Sequence, residues 1–251
     1  MGNVKKIVIM ISITFLIAVV VAFMMVFSVG KVQAEFSVYG ETAATEIQGK
    51  FDEFKGKNML FFNEQSIYDV GKDYPYYEIT EVKKQFPNVV TVKVTKRTEK
   101  LRVYSESGVL VLDGSGVILN DTGVTEIETN VANVYLDGLE IVSSEVGKAI
   151  KTDDDGLFYS LLDVVNEISL TDIVKDIKVV SATEKKDLEF TTYTGVKITV
   201  LSAEDRGGEK IAKAFDLFDA ISDYEKTCSE IQAYSTVDGN VRAVWISREE
   251  V

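Results

Sequence analysis

Residues 7–29 form one uncharged apolar run, preceded by Lys5 and Lys6. At about 1.5 Å of rise per residue, a helix of this length crosses a hydrocarbon core of about 30 Å. The positive-inside rule keeps the lysine end in the cytoplasm. The expectation is a cytoplasmic tail at 1–6, a single transmembrane helix at 7–29 and an extracytoplasmic remainder. A cleaved signal peptide competes, because Val32-Gln33-Ala34 resembles a small-x-small cleavage site. A signal core runs only about 7–15 residues, which favours a retained anchor.

Beyond the run the period changes. Val32, Ala34, Phe36 and Val38 alternate with polar residues, predicting a half-buried strand ending at Gly40. Ile47, Phe51 and Phe54 at helical spacing predict a helix, and Gly56-Lys57-Asn58 breaks it. Residues 59–62 read as an apolar plug that seats Leu60 and Phe61 in a core, and Asn63 as the cap of a second short helix. Ile79, Val82 and Phe86 predict a third helix over 77–86, stopped by Pro87. Val90, Val92 and Val94 then alternate again, and Leu101 and Val103 continue that pattern after a turn at 97–99, as a hairpin. The first unit therefore spans 30–106.

The second unit, 107–251, is richer in strand patterns. Strands are expected at 109–112, 117–119, 131–136, 173–180, 187–193 and 196–201, with a closing pair at 231–236 and 241–246. An exposed loop is expected over 121–130. Two amphipathic helices interrupt the strands. One runs from Asp153 with Leu157, Leu161, Val164, Val165 and Ile168 inward; the other covers 209–221 with Ile211, Ala214, Phe215, Phe218 and Ile221 inward. The fold class is α+β: a transmembrane helix, a small mixed domain, and a mixed β domain carrying at least two helices.

Charge and composition narrow the chemistry. Lys5 and Lys6 are the only charges in 1–29, so the remainder is more acidic still than the chain's net −13. Nucleic acid and anionic lipid are poor partners for such a surface. The chain has no histidine and a single cysteine, which excludes Ser-His-Asp and Cys-His catalysis, an intramolecular disulfide and a cysteine-based zinc site. Cys228 reads as a partly buried bystander thiol.

Three motifs invite chemistry. Asp153-Asp154-Asp155-Gly156 suggests a calcium loop, but the register puts Lys151 and Leu162 at the first and last ligand positions. The aspartates instead suit the first turn of a helix capped by Thr152. Gly114-Ser115-Gly116 lies between strand patterns, so it is a hairpin turn rather than a phosphate loop. Lys93, Lys96, Arg97, Lys100 and Arg102 form the one basic cluster, readable as a solvated hairpin face or as a docking surface for an acidic partner. Paired carboxylates abound, yet nothing selects one pair as a glycosidase site. No cofactor or metal site is expected.

The ordered motifs Phe36-x-Val38-x-Gly40, Gly56-Lys57-Asn58-Met59-Leu60-Phe61, Phe86-Pro87-x-Val89-x-x-Val92-x-Val94-x-Lys96-Arg97, Leu101-x-Val103 and Leu112-Asp113-x-x-Gly116-Val117-Ile118-Leu119 follow one membrane helix. With Gly195-Val196-x-Ile198, Lys210-Ile211 and a closing strand pair, this order is similar to the bacterial cell-division proteins of the FtsQ/DivIB type. The resemblance implies a POTRA domain, βααββ, at 30–106 and a β domain at 107–251 whose last strands bind partners. It further implies a non-enzymatic divisome scaffold for septation in the cell cycle, located at the septum. Its expected partners are small bitopic coiled-coil proteins of the FtsB/DivIC and FtsL kind and, through them, the septal peptidoglycan synthase.

The final strand points the same way, because an open sheet edge offers unpaired backbone groups to another chain. Tyr234, Val241, Arg242, Val244 and Trp245 are the candidate partner-binding residues. The bland alternative has Trp245 capping the core and Tyr234 as an ordinary strand residue. Two other functions stay open: an anchored exported sensor or adhesin with a different ligand, and a cell-wall hydrolase.

Overall fold

The computed structural model describes residues 2–37, 42–105, 108–122, 131–167, 174–182, 185–227 and 229–247. The expected strand end at Gly40, most of the 121–130 loop, Ile168 and Cys228 lie outside them. The fold is α+β, and the chain divides into two compact units, Met1–Arg97 and Thr98–Val251.

Helix α1 (Gly2–Val26) opens the first unit, and Lys5–Val26 is long and apolar enough to cross a membrane. It ends three residues before the apolar run does, because Val29 is already buried in the unit's own core. Strand β1 (Lys31–Phe36) is followed by α2 (Thr42–Asp52), α3 (Gln65–Gly71), β2 (Tyr77–Gln85) and β3 (Val89–Lys96). The sheet order is β1-β3-β2, with β1 parallel and β2 antiparallel to β3. Ile47 and Phe51 of α2 and Ile67 of α3 pack onto Val90, Val92 and Val94 of β3 in one core. Gln48 shields the β1 edge: its Nε2 donates to Val32 O and its Oε1 accepts from Ala34 N, both at 3.2 Å. That leaves fewer open groups for another strand.

Three expectations fail in this unit, each for a local reason. Residues 77–85 are strand, not helix. A bulge at Thr80 puts Ile79 opposite Val94 and Val82 opposite Val92, so two residues three apart share the inward face and imitate helical spacing. The plug is seated by Met59 and Phe62, which are buried, whereas Leu60 and Phe61 are exposed. The turn explains this: Phe61 N donates to Asn58 O and Leu60 N to Asn58 Oδ1, so the middle of the tetrad points outward. Finally, Leu101 and Val103 do not pair with β3. They belong to β4 (Leu101–Ser105) in the second unit, and the division falls at Arg97 rather than at residue 106. The βααββ order is kept because β2 supplies the missing strand.

The second unit is built on a nine-stranded sheet. Its strands are β4, β5 (Gly108–Leu112), β6 (Ile118–Thr122), β7 (Ala132–Asp137), β10 (Val174–Ala182), β11 (Lys185–Thr192), β12 (Lys197–Val200), β13 (Ser229–Ser235) and β14 (Val241–Ser247). They lie in the order β14-β13-β12-β11-β10-β7-β4-β5-β6. A small ribbon of β8 (Ile141–Ser143) and β9 (Lys151–Thr152) stands apart. Strands β7 and β10 are parallel, as are β12 and β13, and parallel neighbours need long crossovers. Helices α4 (Asp155–Glu167) and α5 (Gly207–Ala220) provide them. Their inward residues Leu157, Leu161, Val164, Ile211 and Ala214 share a core with Val134, Ile177, Phe190, Ile198 and Ile231.

Asp154, not Thr152, caps α4: Leu157 N donates to Asp154 Oδ1 at 3.3 Å. Thr152 N donates to Asp155 Oδ1 at 2.8 Å and Glu140 N to Asp153 Oδ1 at 2.8 Å, so all three aspartates serve the helix start and its approach. The Gly114-Ser115-Gly116 segment is the expected turn. Asp113 Oδ1 accepts from Ser115 N, Ser115 Oγ and Val117 N at 2.8–2.9 Å, and Gly116 takes φ +81°.

Candidate functional site

Strand β14 is the last strand of the large sheet, paired on one side with β13. Its register sets Tyr234 opposite Arg242, Gln232 opposite Val244, Ile231 opposite Trp245 and Ser235 opposite Val241. Alternation along a strand then sorts the five candidate residues onto two faces. Val241 and Trp245 share the face of the buried Ile231 and Ala233, the side of the core shared with α5. Tyr234, Arg242 and Val244 lie on the opposite face. The five therefore do not form one cluster. They flank one edge from both sides.

Trp245 is 40% exposed, neither a sealed core residue nor a free one. Its ring stands at the rim where the apolar face meets solvent. A strand added along β14 would place alternate side chains against Val241 and Trp245 on one side and Arg242 and Val244 on the other, the geometry of β-augmentation. The edge would supply backbone hydrogen bonds, and the two faces would supply selectivity.

The hairpin is held from behind by the start of α5. Lys210 is buried and its ammonium donates to Leu201 O at 2.9 Å, Ser202 O at 3.0 Å and Asp205 Oδ2 at 3.2 Å. Asp205 Oδ2 also accepts from Ser235 Oγ at 2.6 Å, at the end of β13. The Ser235 hydroxyl, followed by Lys210, holds the Asp205 carboxyl below its ordinary range. At the tip, Thr236 Oγ1 and Asn240 Nδ2 donate to the Asp238 carboxylate and hold it low likewise. The hairpin thus carries a hydrogen-bonded carboxylate at its turn, and its last strand is apolar but for Arg242 and the polar Ser247 at its end.

The five residues of the basic cluster are divided between the two units. Lys93, Lys96 and Arg97 belong to the first unit, Lys100 and Arg102 to the second. Lys93 Nζ pairs with Glu81 Oε2 at 2.6 Å, and Arg97 Nη2 with Glu78 Oε1 at 3.3 Å. Arg102 is only 3% exposed, on the face of β4 that carries its neighbours Val111 and Asn133 in register. The hairpin expected to join all five does not form, since β4 pairs with β5 and β7.

Two features escaped sequence reasoning. Lys210 sits at the inward phase of α5, three residues before Lys213 and one before Ile211, and a strict stripe reading of Gly207, Lys210, Ile211 and Ala214 would have flagged it. Tyr104 and Tyr135 stack with ring centroids 4.8 Å apart and planes 9° apart, on parallel strands β4 and β7. Tyr104 Oη donates to Asn133 Oδ1 at 3.2 Å and Asn133 Nδ2 to Asp176 Oδ1 at 3.0 Å. No local signal pairs two strands that are this far apart in sequence. Among the described residues, no three His, Cys, Asp or Glu side chains are grouped to hold a metal ion.

No family model and no curated protein matches this chain. Among solved structures, it is similar to the major extracytoplasmic domain of the trans isomer of the bacterial cell division protein DivIB from Geobacillus stearothermophilus. The identity is 13% and the TM-score 0.32, over 51% of this chain and 98% of that one.

Proposed function

We propose that this chain is a membrane-anchored, non-enzymatic scaffold of the division septum. Helix α1 crosses the membrane with its lysine end in the cytoplasm, and the two units act outside as a POTRA domain and a β domain. The observation that carries this reading is the terminal strand β14, one side of which is paired with β13 while Trp245 stands at its rim. Such an edge suits addition of a partner's strand rather than catalysis. The motif order from Phe36 to Leu119 and the closing strands support the FtsQ/DivIB kind of role. The partners are then small bitopic coiled-coil division proteins, through which septal peptidoglycan synthesis is recruited and regulated.

The test is capture from membranes with the full chain and with a chain ending before Val241. The full chain retains small bitopic division proteins and the truncated chain does not, while both keep the fold of the first unit. Retention of a glycan or small ligand alone would overturn the scaffold and favour an anchored sensor. Equal retention by both chains would move the site away from β14.

A further inference from the structure

The end of α1 is built into the first unit. Val29 N donates to Lys57 O and Gly56 N to Val29 O, both at 2.8 Å, and Met59 N donates to Phe27 O at 2.6 Å. Ser28 and Asn58 form the antiparallel bridge between these bonds. Antiparallel pairing sets a direction: as the chain runs from Gly56 to Met59 it travels back toward α1. The next two residues, Leu60 and Phe61, then sit at the level where the helix ends. The β2–β3 turn reaches the same level, because Gly30 N and Lys31 N donate to Asn88 O, and the Phe86 ring lies 6.1 Å from Phe27.

Both turns carry large apolar side chains in the open: Phe61 is 79% exposed, Phe86 58% and Leu60 44%. They continue the exposed apolar surface of α1, whose Met24 and Met25 line a cleft with Ser28 and Gly56. The first unit offers no charge excess to oppose such contact, since residues 30–97 hold as many basic as acidic groups. Scattered exposed apolar residues are ordinary, but three on two turns facing the same end of an apolar helix are not scattered.

We infer that Leu60, Phe61 and Phe86 form an apolar collar that inserts into the headgroup and upper acyl region of the bilayer around α1. The occupant is lipid, and the collar fixes the height of the first unit on the membrane. This rests on the membrane-spanning reading of α1. Phe and Leu are among the side chains by which an amphipathic surface buries itself shallowly at the headgroup and acyl boundary.

The test uses the full chain alone in nanodiscs, with Trp245→Phe removing the native tryptophan and one new probe at a time. Phe15→Trp reports the helix, Phe61→Trp the collar, and Thr95→Trp an exposed position on β3 about 20 Å farther from α1. Lipids brominated high or low on the acyl chain quench tryptophans at matching depth. Phe15→Trp is quenched by the deeply brominated lipid. Phe61→Trp is blue-shifted and quenched most by the shallow one, and Thr95→Trp by neither. With no partner present, quenching cannot come from a neighbouring protein helix. A Phe61→Trp signal matching that of Thr95→Trp, with Phe15→Trp quenched, overturns the collar and leaves the anchor standing. An unquenched Phe15→Trp overturns both.

Discussion

The Arg206 guanidinium donates to the carbonyl oxygen of Gly239, tying the residue before α5 to the turn between β13 and β14. Arg206 itself adopts φ 55°, an uncommon left-handed conformation for a residue with a side chain. The conformation aims the side chain outward, where Glu209 Oε2 also accepts from Nε at 2.9 Å. The edge strand proposed to receive a partner is therefore pinned at the end away from Trp245.

Removing this tie has a local signature. Arg206→Ala speeds hydrogen exchange in β14 and in the turn at 236–240, while exchange in β7 and β10 is unchanged, because sub-global opening starts where few bonds hold a segment. Lys210→Met acts deeper. It strips donors from Leu201 O and Ser202 O and costs about 1–3 kcal/mol in a denaturation experiment. If Arg206→Ala leaves exchange in β14 unaltered, the hairpin is held by its own ladder and the tie is incidental.

In the first unit, the inverted plug separates two neighbouring residues. Met59 is fully buried, so Met59→Ala costs about 2–5 kcal/mol. Leu60 is exposed, and Leu60→Ala stays within about 0.5 kcal/mol. Native-state hydrogen exchange of β3 amides in the full chain reads both values. The reverse order would return Leu60 to the core and remove it from the membrane collar.

Glycine substitutions separate backbone strain from crowding. Gly195 has φ +85° with open space around its missing side chain, so Gly195→Ala costs only the left-handed penalty of about 1–2 kcal/mol. Gly116 has φ +81°, and a methyl group there would stand 2.8 Å from Cδ1 of the buried Leu162 and within 4 Å of Phe158 and Ile150. Overpacking adds about 1–3 kcal/mol, so Gly116→Ala is the more harmful of the two by urea denaturation. Equal costs would mean that Leu162 yields freely.

The second unit was legible in sequence wherever a side-chain period ran undisturbed. The inward faces of α4 and α5 and the strands β5, β7 and β10–β14 follow from apolar spacing alone, since each element meets one core through one face. Legibility failed where a single residue changed the phase. The bulge at Thr80 turned a strand into apparent helix, and the false helix left the 101–103 strand as the only partner for Val90 to Val94. That one error carried the expected first unit past Arg97. The edge position of β14, expected from the family resemblance, is set by the strand order. The split of Tyr234 and Trp245 onto opposite faces needed the register.

The pairing of Lys93 can itself be titrated. Glu81 Oε1 accepts from Lys83 Nζ and Oε2 from Lys93 Nζ, each at 2.6 Å. The Lys83 bond first, then the Lys93 bond, bring the Glu81 carboxyl down to about 2 from the ordinary 4.5. Its folded value is depressed, so the pairing stabilises fully above the unfolded value and is lost as pH falls through about 2. Carboxyl NMR of the full chain in nanodiscs, with labelled glutamate, therefore shows one resonance titrating near 2. Lys83→Met raises that midpoint toward the ordinary value more than Lys93→Met does. Because the group is exposed, salt at high concentration raises it too. Glu81 in turn raises the Lys93 ammonium, which stays charged and engaged at neutral pH. Lys93→Glu would then set a second carboxylate beside Glu81 and lift the midpoint above that of the Lys93→Met chain. A Glu81 midpoint of about 4 in the unaltered chain would show that the two ion pairs do not persist in water. Lys93 would then be available to an acidic partner after all.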